Sequence, residues 1–252
     1  MCTYEAASAE AGDGATYLAG AYHNSGDDHA AEPYYRLGLK HRLDYMDIEA
    51  HLASHEESLV LPVAISYNKT GRCAYLRHDF EQAANDLNTS MTIFERMAGW
   101  KNDETWKDRI YCCAGDTMVD IARLHMEQGD YMTALKWAQR SYSSFFAFQH
   151  KELPNNEYSL VDMGICHSKL GNREKAEEYL KRALALNITF NGEASIQTMR
   201  TREAIADNHM LRGDIETARS QYLELELSLE QDFGECNPQV LRLRQKRQKL
   251  EQ

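Results

Sequence analysis

One spacing recurs five times along this chain, and it fixes the architecture more tightly than any other feature. In the stretch "GICHSKLGNREKAEEYLKRALALN" (164–187) the skeleton is Gly164, His167, Gly171, Ala176, Leu180 and Ala183. Forty-two residues on stand Ala206, His209, Gly213, Ala218, Tyr222 and Leu225, and forty-two back stand Ala122, His125, Gly129, Ala134, Ala138 and Ser141. Two further copies run Ala19, Tyr22, Gly26, Ala31, Tyr35, Gly38 and, more loosely, Gly71, Ala74, His78, Ala83, Leu87, Ser90. A fixed period of this kind marks a stack of like units, each burying its apolar face against the next.

Each position has a physical task. The small residue lets two helices approach closely. The glycine stops the first helix, because it tolerates the left-handed backbone there. Asp27, Asp130, Asn172 and Asp214 follow it and suit the turn or the next N-cap. Apolar residues then return at three- and four-residue intervals, giving the second helix one buried stripe. With only 4 prolines and 14 glycines in 252 residues, composition also favours helices over a turn-rich β architecture.

The glycine or its equivalent falls at 26, 78, 129, 171 and 213, so the first two intervals are about ten residues longer than the 42 of the others. The extra residues lie in "DYMDIEAHLASHEESLVLP" (44–62) and "MAGWKNDETWKDRIYCC" (97–113). Both have helical spacing, which predicts lengthened first helices in copies two and three. Pro62 is expected in the first turn of its helix or at a kink. Few residues precede the first copy, so the expectation is either that the chain is a segment of a longer array or that residues 3–12 form a short helix. The segment 238–252 reads as a polar cap for the open end of the array, with a basic patch for nucleic acid or an acidic partner as the alternative.

This skeleton resembles the tetratricopeptide repeat, a helix-turn-helix unit that stacks into a right-handed superhelix. The 42-residue spacing is similar to the longer repeats of kinesin light chains, whose inter-repeat loops "FGECNPQVL" (233–241) and "FNGEASIQTM" (190–199) resemble. The expectation is an all-α solenoid occupying 1–252 as a single domain. It would comprise about five repeats (13–43, 52–98, 103–148, 155–188 and 193–232) and a capping helix at 238–252.

Candidate chemistry is sparse. His125, His167 and His209 recur in register, but equivalent residues of stacked helices lie about 8–10 Å apart, whereas zinc needs ligands at about 2.0 Å. They are expected to pack between helices, as Tyr22 does in copy one. The six cysteines show no CxxC spacing and read as free thiols of a reducing cytosol. "DDHAAE" (27–32) is similar to the acidic motif of terpene cyclases. It lies across an inter-helix turn, however, and "NDLNTSMTI" (85–93) has Ile93 where the second motif needs an acid. There is no Gly-rich phosphate loop, no GxSxG and no HExxH. No catalytic residue, cofactor or metal is expected.

The resemblance implies that first helices line a concave groove, with four motif positions pointing inward. These are Asn68, Arg72 and Tyr75; Asp116, Val119, Arg123 and Met126; Tyr158, Val161, Ile165 and Ser168; and Arg200, Glu203, Asp207 and Met210. The pattern lacks the Lys/Asn/Arg clamp of chaperone-tail receptors. The mixture of arginine, tyrosine and apolar side chains suits a protein or peptide partner. A net charge of −11 argues against nucleic acid or an anionic membrane, and no 18-residue apolar run occurs. With no leader pattern at the N-terminus, a cytoplasmic setting is expected. The alternative is an enzyme or small-molecule receptor whose pocket is closed by the lengthened helices of copies two and three.

Overall fold

The structure is a computed structural model that describes residues 2–24, 28–99, 104–149 and 155–250. Every regular element among them is a helix. The chain divides into two compact units, Met1–Gln128 and Gly129–Gln252. The division falls between the two helices of the third repeat.

The first unit holds α1 (Cys2–Asn24), α2 (Asp28–Tyr45), α3 (Ile48–Ser54), α4 (Glu57–Leu76), α5 (Phe80–Ala98) and α6 (Glu104–Glu127). Consecutive hairpins pack in order: α1 on α2, α2 on α4, α4 on α5, and α6 on both α5 and α4. Gly12 and Gly38 let the backbones of α1 and α2 meet, since a Cβ on Gly38 would stand 3.0 Å from the Gly12 carbonyl oxygen. Buried Arg42 then ties three helices together. It donates to Asp13 Oδ1 at 2.5 Å, Thr16 Oγ1 at 2.9 Å and Ser66 Oγ at 3.0 Å.

The second unit holds α7 (Tyr131–Gln149), α8 (Asn156–Lys169), α9 (Arg173–Asn191), α10 (Ile196–Arg212), α11 (Ile215–Phe233) and α12 (Pro238–Lys249). Each of these helices packs on the next, and α8 also packs on α10. Met199, Ala206, Ala218, Tyr222, Leu225, Leu229, Val240 and Leu243 form one buried cluster at its C-terminal end.

Gly129, Gly171 and Gly213 all carry positive φ, at 76°, 81° and 87°, as the helix-stop reading requires. His78 stands in the same place at φ 62°, one of two non-glycine residues in that region among those described. Gly26 and Asp27 lie outside the described residues. The small position works as a contact: a Cβ on Gly71 would lie 2.8 Å from Leu87 Cγ, and one on Gly164 would lie 2.6 Å from Leu180 Cγ.

Three expectations differ in detail. The insertion at 44–62 is not a longer first helix. Asp47 caps a separate helix, α3, by accepting from Glu49 and Ala50 N–H, and His55 ends it in the left-handed conformation (φ 59°). Pro62 sits beyond the first turn of α4, inside a helix that begins at Glu57. Residues 3–12 are not a separate helix either, because α1 runs unbroken from Cys2. In copy three, α6 extends from Glu104 over 24 residues, a lengthened first helix; residues 100–103 of that insertion lie outside the described residues.

Candidate partner-binding faces

In the first unit the candidate residues sit on α4 and α6, which pack side by side. Asn68 is buried and donates from Nδ2 to buried Asp120 Oδ2 at 3.0 Å, so it links the two helices. Val119 is buried as well. Arg72, Tyr75, Asp116, Arg123 and Met126 remain partly exposed. Tyr75 Oη lies 3.3 Å from Glu127 Oε1. Burial pushes the Asp116 carboxyl up to about 6; Lys69, Arg72 and Arg123 pull against that shift, while Asp120 reinforces it. The face is therefore a half-desolvated acid among three cations, with Tyr75 and Met126 on the same two helices. Cys113 sits one turn before Asp116, and burial raises its thiol to about 11, which keeps it protonated and unreactive at neutral pH.

In the second unit Tyr158, Val161 and Ile165 are partly exposed on α8, and Arg200 is exposed on α10. Ser168 is buried and donates to Asn208 Oδ1 at 2.8 Å, joining α8 to α10. Glu203 and Asp207 are engaged by α12. Lys246 Nζ reaches Glu203 at 2.8 Å and Asp207 at 2.7 Å, and Arg242 reaches Glu203 at 2.5 Å. Tyr222 Oη donates to Asp207 Oδ1 at 2.5 Å, and Met210 packs against the core cluster. Burial would lower the Lys246 pKa, but Asp207 and Glu203 outweigh it and raise the value. On the other side of α12, Arg244 and Arg247 hold buried Glu226 at 2.7 and 3.0 Å. The cap is thus pinned by charge, and it uses two carboxylates that the sequence pattern assigns to the open face.

Of the recurring histidines, His167 serves packing. His167 is buried and stacks on Tyr179 with ring centroids 5.4 Å apart; burial, and then the Lys175 charge, lower its pKa. His209 lies 3.5 Å from Asp214 at the end of α10. Among the described residues no group of three or more His, Cys, Asp or Glu could hold a metal ion. Among the same residues no helix is long and apolar enough to cross a membrane.

A feature missing from the sequence reading is a series of buried hydroxyls. Ser66, Thr117, Ser159 and Thr201 recur at gaps of 51, 42 and 42, in step with the glycines. Each meets the second helix of the preceding repeat. Their partners are Arg42 at 3.0 Å, Ser90 at 3.4 Å, Ser141 at 2.8 Å and Asn187 at 2.9 Å. The signal was present in the spacing. Two cavities among the described residues lie away from the motif positions assigned to the groove, although first helices α10 and α4 each contribute to a wall. One, of about 450 Å³, has Leu184, Ile205, Leu225, Arg202 and Gln221 in its wall. The other, of about 370 Å³, lies beside the α3 insertion, with Ile48, Leu52, Tyr67 and Ile93 in its wall.

Helical hairpins stopped by a left-handed residue, crossed at a small residue and stacked through their first helices define an all-α repeat fold of tetratricopeptide type. The tetratricopeptide repeat family model matches residues 114–188, the stretch in which Gly129 and Gly171 stand 42 residues apart. Solved structures agree on the fold. BtubC from P. vanneervenii is 14% identical with a TM-score of 0.55, covering 82% of this chain and 87% of its own. A kinesin light chain from Podosopora anserina with nearly identical TPR-like repeats is 12% identical with a TM-score of 0.52, covering 87% and 95%. A thermophilic TPR protein from Thermus thermophilus is 19% identical with a TM-score of 0.54, covering 95% and 98%. Comparison with curated protein sequences gives no match.

Proposed function

We propose that the protein is a non-enzymatic interaction scaffold that holds a protein or peptide partner on the first-helix faces of its repeats. The observation that carries this reading is the α4–α6 face. Lys69 and Arg72 make no contact ion pair among the described residues, and with Arg123 they surround an Asp116 that burial leaves only weakly acidic. A partner carboxylate gains from these cations, while Tyr75 and Met126 supply apolar contact. Tyr158 and Ile165 offer the same kind of apolar surface within the second unit. An intracellular setting belongs to this reading, resting on the buried free thiols Cys73 and Cys166.

The test is capture of the native partner by the full chain and by its Arg72→Glu/Arg123→Glu variant. The variant should melt normally and lose the partner. Undiminished capture would sink the assignment. A small-molecule reading rests on the 370 Å³ cavity beside α3, since an insertion of the second repeat builds its wall. Co-purification of a small ligand that Leu52→Trp expels would favour it.

A further inference from the structure

Two repeats complete the contact between their helices with a pair of stacked rings. In the first, Tyr22 of α1 stacks on Tyr34 of α2, with centroids 5.5 Å and planes 8° apart. In the fourth, His167 of α8 stacks on Tyr179 of α9 at 5.4 Å and 1°. The third carries His125 and Trp137 at the same two positions. The fifth keeps the histidine as His209 but places Gln221 where the second ring belongs. Two further exchanges accompany it. In the fourth repeat Arg182 reaches back to α7, donating to Tyr142 Oη at 2.9 Å with its guanidinium 5.7 Å from that ring. The equivalents of Arg182 and Tyr142, forty-two residues on, are Glu224 and Leu184. The cavity of about 450 Å³ lies where these exchanges fall, with Leu184, His209, Gln221 and Glu224 all in its wall.

The missing groups specify what would fill the space. A ring is absent opposite His209. Gln221 Oε1 is buried with no hydrogen-bond partner among the described residues, a cost that a donor would remove. Of the charged groups in the wall, Lys181 pairs with Glu177 at 2.6 Å and Arg202 with Glu193 at 3.0 Å. Glu224 makes no ion pair among the described residues, so the charge left open is negative. Gln221 and Glu224 stand three residues apart, which puts them on one face of α11.

We propose that this cavity binds a small aromatic amine, a planar ring with an N–H donor and an ammonium group on a short chain. The ring takes the place that Tyr179 fills one repeat earlier and stacks on His209. Its N–H donates to Gln221 Oε1, and the ammonium pairs with Glu224. Leu184 and Ile205 supply apolar contact. The volume lies within the roughly 300–1,000 Å³ of small-molecule sites, which selects a single small ligand. The site uses none of the residues of the α4–α6 face and is independent of a partner bound there.

Titration calorimetry of the full chain with tryptamine, which carries all three features, tests this. The wild type should bind one tryptamine saturably, with Kd on the order of 0.1 mM. Its neutral counterpart 3-ethylindole should bind about threefold to fivefold more weakly, and Glu224→Gln should weaken tryptamine to the same level. Gln221→Tyr rebuilds the ring pair of the fourth repeat, so it should abolish binding and melt no lower than the wild type. Proton NMR of the wild type gives a readout that needs no variant: tryptamine should move the His209 ring protons upfield as the rings stack. The proposal is overturned if tryptamine shows no saturable binding up to about 5 mM, or if the His209 ring protons stay in place. Binding that Gln221→Tyr or Glu224→Gln leaves undiminished overturns it as well.

Discussion

Asp116→Asn should make the protein more stable at neutral pH and leave it unchanged in acid. The Asp116 carboxyl moves from its ordinary 3.8 to about 6 in the folded state because burial outweighs Lys69, Arg72 and Arg123. A carboxyl raised on folding binds more protons in the native state between those two values. Stability is therefore fully present below about pH 4, and it falls as pH rises through the window to about 6. Full conversion of that difference gives about 3 kcal/mol at pH 7.5; because solvent reaches the edge of the group, about 1–2 kcal/mol is the expected effect. Asparagine keeps the shape and removes the titration. Urea melts of both proteins at pH 4.5, 6.0 and 7.5 should show their stability difference growing with pH in favour of the variant. Taking the difference cancels other titrating groups, including His167, whose lowered pKa makes acid destabilising. A difference that stays constant with pH would refute the burial argument.

His78→Gly should raise stability by about 0.5–1 kcal/mol, because the residue sits at φ 62° where the other repeats use glycine. Loss of its edge-on contact with Phe80, at 5.8 Å between centroids, sets that lower bound. Calorimetry should show a melting point higher by a few degrees, and a fall would mean that the ring contact outweighs the strain. Gly164→Ala should cost about 1–3 kcal/mol despite better helix propensity, since the new Cβ would sit 2.6 Å from Leu180 Cγ. Adding Leu180→Ala should return part of that loss in a denaturation cycle, as copy three already pairs Ala122 with Ala138. Lys246→Met should cost about 1–2 kcal/mol by leaving Glu203 and Asp207 side by side, and should speed amide exchange in α12 first.

The helix boundaries were legible because glycine announces its conformation: Gly129, Gly171 and Gly213 mark the stops they make. The same rule failed at α3, where His55 takes the left-handed turn without a glycine to signal it. The faces were harder to read. Position in the repeat puts Asn68, Ser168, Glu203 and Asp207 on first helices, but it does not say which neighbour will use them. Asn68 and Ser168 were used by the adjacent first helix, and Glu203 and Asp207 by the cap. Those partners lie 39 to 52 residues away, and a short polar residue has no periodic signature of what it will touch. The buried hydroxyl series shows the reverse case, where periodicity was present in residues too common to attract notice.

That the partner is held on the first-helix faces is tested most directly by hydrogen exchange on the captured complex. Protection on binding should concentrate in 64–76 of α4 and 112–127 of α6, which carry Arg72, Tyr75, Asp116 and Arg123. Protection confined to α5, α9 or α11, with α4 and α6 unchanged, would place the partner on the second helices and contradict the account.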